Sequence, residues 1–190
     1  ANKDDTKALF WYTKAAEQGY LIAQRNLAII YDLNEAFQDS EKAIYWYTKS
    51  AEGGNAQAQD NLASMYDNGR GVAEDDEQAF YWYKKAAEQG YDVAQFNLGV
   101  NYLTGESVSK DDEKAFYWFN KSAEQGYDLA QGNLGWFYRD GRGIDQDYKK
   151  AFYWYTKAVE QGHSYSEFSL GGMYSNGRGV DEDNEMAVYW

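Results

Sequence analysis

One string of thirteen residues sets the limits on this chain of 190. It reads AFYWYKKAAEQGY from Ala79 to Tyr91. It recurs as ALFWYTKAAEQGY from Ala8, AIYWYTKSAEGGN from Ala43, AFYWFNKSAEQGY from Ala115 and AFYWYTKAVEQGH from Ala151, and a sixth copy, AVYW, runs from Ala187 to Trp190. The spacing is 36 residues throughout, except for a first interval of 35. A fixed period of this size marks an array built from one supersecondary unit that can bury its apolar face only against its neighbours. Such arrays act through an extended surface rather than a single catalytic pocket.

The string has helical periodicity. Ala79, Trp82, Tyr83, Ala86 and Ala87 fall at i, i+3, i+4, i+7 and i+8, on one face. Small Ala alternating with large rings suits close helix packing, because a ring needs a shallow site opposite it. Asp75 and Asp76 are the N-cap candidates, Glu77 adds negative charge to the first turn, and Gly90 is placed to end the helix in the left-handed region. Asp4 or Asp5 takes the capping role in the first copy.

A second helix follows in each unit, marked by Ala23, Leu27 and Tyr31, by Ala58, Leu62 and Tyr66, and by Ala94, Leu98 and Tyr102. Ala130, Leu134 and Tyr138, then Ser166, Leu170 and Tyr174, continue the series. Gly99, Gly135 and Gly171 recur mid-helix, where Gly costs about 1 kcal/mol against Ala; a neighbouring backbone or ring is expected against each. The loops NGRGV, DGRGI and NGRGV place glycines on both sides of Arg70, Arg142 and Arg178. Repeat three keeps Gly105 but carries Ser107 at the second glycine position, and the glycine-free NEAFQDS after the first helix pair predicts a different helix ending there.

Composition narrows the function. There is no Cys, which removes disulfides, thiolate metal sites and a Cys nucleophile, and no Pro, which fits a helical chain with Gly-based turns. The net charge of −13 opposes sequence-independent binding to nucleic acid or anionic membrane. No apolar run reaches the roughly 20 residues of a membrane span, and no signal peptide is visible. The chain begins at Ala1 without Met and ends inside a helix, the pattern of a fragment or processed form.

The unit A-F-Y-W-Y-x-K-A-A-E-Q-G-Y-x-x-A-Q-x-N-L-G-x-x-Y-x-x-G-R-G-V resembles the Sel-one-like repeat family, relatives of the tetratricopeptide repeats. The departures are the loop of repeat one, Ser107, and Ser166 in place of Ala. The resemblance implies an α/α superhelix with the first helix of each unit, helix A, on the inner, concave side. It also implies a scaffold or adaptor that assembles protein complexes, often in bacteria. The expected fold is all-α, a right-handed α/α superhelix (solenoid) of about five 36-residue two-helix repeats. The expected repeats span about 4–38, 39–74, 75–110, 111–146 and 147–182, with a truncated sixth at 183–190, in a single domain of 1–190. A soluble bacterial protein, in the cytoplasm, the periplasm or secreted, is expected, with the oligomeric state open.

The register separates core from displayed positions. Opposite the buried face of helix A lies Tyr81, with Phe10, Tyr45, Tyr117, Tyr153 and Tyr189 as its equivalents. Beside it run Lys14, Lys49, Lys85, Lys121 and Lys157, and the position before each starting Ala adds Lys7, Lys42, Lys114 and Lys150. These are nine of thirteen lysines, so an acidic chain concentrates its ammonium groups along one aromatic stripe. One reading is a groove for an extended peptide or partner helix, since Tyr offers contact area and a hydroxyl at low entropy cost. The other packs Tyr81 on the next repeat and pairs Lys85 with Glu88 on an exposed face.

The tryptophans Trp11, Trp46, Trp82, Trp118, Trp154 and Trp190 sit at the edge of the buried face and read as structural. Trp136 and Phe137 occur once, where other repeats carry Ile29 and Ile30, Ser64 and Met65, or Val100 and Asn101; they mark either a partner-specific patch or a locally filled gap. The GRG loops follow no strand and have no Walker lysine, so they read as turns. The acidic runs lack calcium-loop spacing and read as helix caps. His163, the one histidine, stands at a position held by Tyr20, Tyr91 and Tyr127 and reads as a packed turn residue. No catalytic group and no cofactor or metal site is legible. The expected function is a protein–protein interaction scaffold or adaptor, with a peptide or helix held by Tyr45, Tyr81, Tyr117, Tyr153, Lys49, Lys85, Lys121, Lys157, Trp136 and Phe137. The alternative is a module binding glycan or cell-wall fragments through the same rings; a hydrolase built on paired carboxylates is the third class.

Overall fold

The computed structural model describes residues 3–190, with side chains from Thr6 onward. It has eleven α-helices: α1 (Lys3–Glu17), α2 (Leu21–Leu33), α3 (Ser40–Glu52), α4 (Ala56–Asp67), α5 (Asp76–Glu88), α6 (Asp92–Thr104), α7 (Asp112–Glu124), α8 (Asp128–Asp140), α9 (Tyr148–Val159), α10 (Ser164–Ser175) and α11 (Asn184–Tyr189). No strand occurs among the described residues. Odd-numbered helices carry the repeated string. The residues group into two compact units, Ala1–Ala94 and Gln95–Trp190. In the first, α1 through α5 pack each on the next; in the second, α7 through α11 do the same.

The caps follow the sequence closely. Asp39, Asp75, Asp111 and Asp147 precede their helices in extended conformation, and each carboxylate accepts a backbone N–H from the first turn, which satisfies a donor the helix itself cannot. Asp76 lies inside α5 instead. The side chains of Asp4 and Asp5 lie outside the described ones. Gly90 has φ of +91°, beyond what a side chain tolerates at low cost. Repeat one ends differently, as its loop composition predicts: Asn34 caps α2 in extended geometry, without a left-handed residue.

In the first unit the core gathers Ala43, Tyr47, Ala58, Leu62, Ala79 and Tyr83. In the second it runs through Phe119, Leu134 and Phe137, then Tyr155, Leu170 and Met173. The mid-helix glycines explain how the rings fit. A Cβ on Gly99 would lie 2.8 Å from the Phe119 ring, and one on Gly135 would lie 2.5 Å from the Tyr155 ring. Gly171 faces backbone, the Ala187 carbonyl at 3.1 Å. Repeats one and two carry Ala28 and Ala63 at this position, buried in the cluster that holds Tyr47 and Tyr83. The buried Tyr155 ring cannot swing aside, so Gly135→Ala is expected to lower stability by about 1–2 kcal/mol, overpacking outweighing the gain in helix propensity. A urea midpoint equal to or above the parent's would refute this.

Glutamines tie successive repeats together. Gln89 donates to Gln59 at 2.7 Å, Gln125 to Gln95 at 2.8 Å and Gln161 to Gln131 at 2.9 Å. Gln59 and Gln131 pass the chain on to the carbonyls of Ala51 and Ala123. The rung is missing once: repeat two has Gly53 in place of the donor, and a Cβ there would strike Leu21. Gln24 accordingly keeps its bond to the Ala16 carbonyl while its Oε1 stays buried without a partner.

Candidate functional site

The third residue of each repeated string is displayed. Tyr45, Tyr81, Tyr117 and Tyr153 are 53%, 45%, 52% and 51% exposed. They are displayed rather than buried in the core. Each is nonetheless held, because its ring meets the following tryptophan edge-on: Tyr45–Trp46 and Tyr81–Trp82 at 4.9 Å, Tyr117–Trp118 at 5.0 Å, Tyr153–Trp154 at 5.1 Å, with interplanar angles of 76–82°. Trp82 is buried, and Trp46, Trp118 and Trp154 are half-buried. Trp11, by contrast, is 67% exposed and is not an edge-of-core residue.

The lysines one turn on sit over these rings. The Lys85 ammonium lies 4.7 Å from the Tyr81 centroid and 5.3 Å from that of Trp82; Lys49 and Lys121 lie 5.8 Å from Tyr45 and Tyr117. Exposed contacts of this type are worth about 0.5–1 kcal/mol. Glu88 pairs with Lys84 at 3.9 Å and not with Lys85, whose ammonium lies over the rings. Lys157 is paired with Glu160 at 3.0 Å, and hydrogen bonding to that carboxylate raises its pKa.

Lys42, Lys114 and Lys150 do not join this stripe. They turn back to their capping aspartates, Asp39, Asp111 and Asp147, at 2.7, 2.9 and 3.7 Å. Their ammonium groups lie over Tyr31, Tyr102 and Tyr138 of the preceding helices, 5.1–5.3 Å from the centroids. Hydrogen bonding to Lys42 holds Asp39 below the usual carboxylate range, and Asp39 in turn raises Lys42. The lysine stripe is therefore Lys14, Lys49 and Lys85 in the first unit, Lys121 and Lys157 in the second.

Phe137, placed by the sequence reading in a partner patch, is fully buried. Its ring stands 5.6 Å from Phe119 and 6.2 Å from Phe116, so it fills a core site. Trp136 is half-buried and remains at the surface. The arginines of the glycine loops turn out to be fasteners. Arg70 reaches Asp32 at 2.9 Å, Arg142 reaches Asp112 at 3.2 Å and stacks 4.4 Å from the Trp136 centroid, and Arg178 lies over Tyr148. Sequence reading saw turn chemistry there and missed the pairing, because the partners lie 30 to 38 residues away.

These features define a helical-repeat protein whose displayed surface is a recurring aromatic–lysine motif. The Sel1 repeat model matches residues 1–20, 21–55, 56–91, 92–127, 128–163 and 164–190, and the chain belongs to the Sel1-repeat family. A protective antigen of uropathogenic Escherichia coli with an SLR fold is 40% identical with a TM-score of 0.92; the match covers 96% of this chain and 39% of that one. A Sel1 repeat protein from Oxalobacter formigenes is 38% identical with a TM-score of 0.86, covering 96% and 53%. An immunity protein from Pseudomonas aeruginosa is 26% identical with a TM-score of 0.61, covering 95% and 69%. The chain thus spans two-fifths to about half of the first two structures. No curated protein matches it. Sel1-repeat proteins are generally non-enzymatic protein-interaction scaffolds. No described helix is long and apolar enough to cross a membrane.

Proposed function

We propose that this chain is an interaction module that holds a segment of a protein partner, an extended peptide or a helix, against the helix-A tyrosines. The observation that carries the reading is the set of rings exposed by about half yet fixed edge-on against tryptophan. A ring already immobilised loses little freedom on binding, so more of its contact area becomes affinity. A partner segment presents apolar side chains to Tyr45 and Tyr81 on the first unit, or to Tyr117 and Tyr153 on the second. Its carboxylates or backbone carbonyls face Lys49 and Lys85, or Lys121 and Lys157. The exposed charges set register and salt dependence, and the rings supply the affinity.

The double variant Tyr117→Ala, Tyr153→Ala is expected to keep its helical spectrum and lose at least about tenfold in affinity for a partner recovered with the parent chain. Titration of the purified partner against both proteins decides it. Equal affinities would remove the second unit's helix-A surface from the interaction. Recovery of glycan rather than protein would replace the reading with the sugar-binding alternative.

A further inference from the structure

We infer a second site, a pocket between α8 and the start of α10 that accepts one aromatic side chain of a protein partner. Gly132, Asn133, Trp136, His163 and Tyr165 line a cavity of about 260 Å³. That is below the roughly 300–1,000 Å³ of pockets for drug-sized ligands, and suits a single ring system. Four of the five lining residues occur in no other unit at their positions. Gly132 stands where other units have Arg25, Asp60, Phe96 and Phe168, and Trp136 where they have Ile29, Ser64, Val100 and Gly172. His163 replaces Tyr20, Asn55, Tyr91 and Tyr127, and Tyr165 replaces Ile22, Gln57, Val93 and Leu129.

Three of the walls are rings, and two of them are held by neighbours. A Cβ on Gly132 would lie 2.5 Å from His163 Cε1, so the glycine admits the imidazole against α8. His163 Nδ1 is 2.7 Å from Ser166 Oγ. Trp136 is braced by the Arg142 guanidinium, itself paired with Asp112. Tyr165 stands at 73° to the imidazole, 6.5 Å between centroids. A ring entering this corner meets faces and edges at the spacing aromatic pairs favour. The Asn133 side-chain oxygen is the acceptor available to an indole N–H or phenol O–H, its amide nitrogen being donated to the Leu129 carbonyl. A sugar fits worse: no carboxylate lines the pocket, and several hydroxyls would lose hydrogen bonds to water without replacement. The choice of a protein-borne ring over a free one rests on the interaction reading above; the pocket itself does not.

His163 is the only histidine, so its imidazole C–H resonances report on this pocket alone. N-acetyl-tryptophanamide and N-acetyl-tyrosinamide are titrated against the whole chain, with N-acetylglucosamine as the sugar arm. The aromatic amides are expected to shift the His163 signals saturably, with Kd on the order of millimolar. Trp136→Ala and Tyr165→Ala should each weaken this about tenfold or more. The Tyr117→Ala, Tyr153→Ala variant should retain it, which separates this site from the helix-A surface. Absence of a saturable shift with either amide overturns the proposal, as does a shift that survives both Trp136→Ala and Tyr165→Ala. Saturation by N-acetylglucosamine alone would make the pocket a sugar site instead.

Discussion

Phe137→Ala should cost about 3–5 kcal/mol, the range for removing a buried aromatic ring from a packed site. The ring is wholly inaccessible and stands among Phe116, Phe119 and Trp136. Its loss leaves a cavity whose walls cannot collapse, because Phe119 is pinned against Gly99 and Leu134 is itself part of the same cluster. Trp136→Ala, one residue away, should cost only about 1–2 kcal/mol. Trp136 is half-buried, and its main loss is the Arg142 stack. Urea unfolding of both variants measures the contrast. Similar midpoints for the two would mean that Phe137 is not a core residue in solution. The same pair separates stability from recognition, since only Trp136 lines a surface pocket.

Why Phe137 was misplaced shows where sequence reading ends. Period and register identify helix A, its caps and its displayed tyrosine, because those positions recur and each follows a local rule of spacing or capping. Gly99, Gly135 and Gly171 could also be read as sites of close approach, since a costly residue is kept three times at one register position. Phe137 and Trp136 offered no such handle. They are single occurrences at adjacent positions, and about 100° of helix rotation puts one inside and the other at the surface. The buried position matches Ile30 and Met65 of other repeats, and Met65 is fully buried; that comparison was the available signal. Lys42, Lys114 and Lys150 leave the expected stripe for a different reason. A lysine at the first turn can face the stripe or swing back to its own cap, and only the position of Tyr31, Tyr102 or Tyr138 on the preceding helix decides between them. Arg70 and Arg142 likewise found carboxylates, and Arg178 a tyrosine ring, too distant in sequence for any local pattern to reveal.

Alkaline solution is expected to unfold the protein cooperatively over the range in which its buried tyrosines would ionise. Tyr47, Tyr83 and Tyr155 occupy one register position and are at most 4% exposed. Burial disfavours the phenolate in each. In Tyr47 and Tyr83 the carboxylates of Asp32 and Asp67 push the same way, and the Tyr155 hydroxyl is pushed up to about 12 although Arg139 opposes the shift. In the unfolded chain a tyrosine ionises near its ordinary value of about 10. The raised folded value means that the unfolded state sheds its proton first as pH rises. Stability is then fully present below about pH 10 and falls as pH climbs toward the folded values. One pKa unit corresponds to about 1.4 kcal/mol, so each ring should withdraw roughly 2 kcal/mol by pH 12. Three together approach the whole stability of an ordinary domain. Tyrosinate absorbance from the buried three should rise together with loss of the helical signal. Tyr155→Phe removes one contributor and should move the alkaline midpoint upward. A urea midpoint that stays flat between about pH 9 and pH 12 would show that these rings reach solvent without unfolding, and that the register position they share is not the sealed core described above.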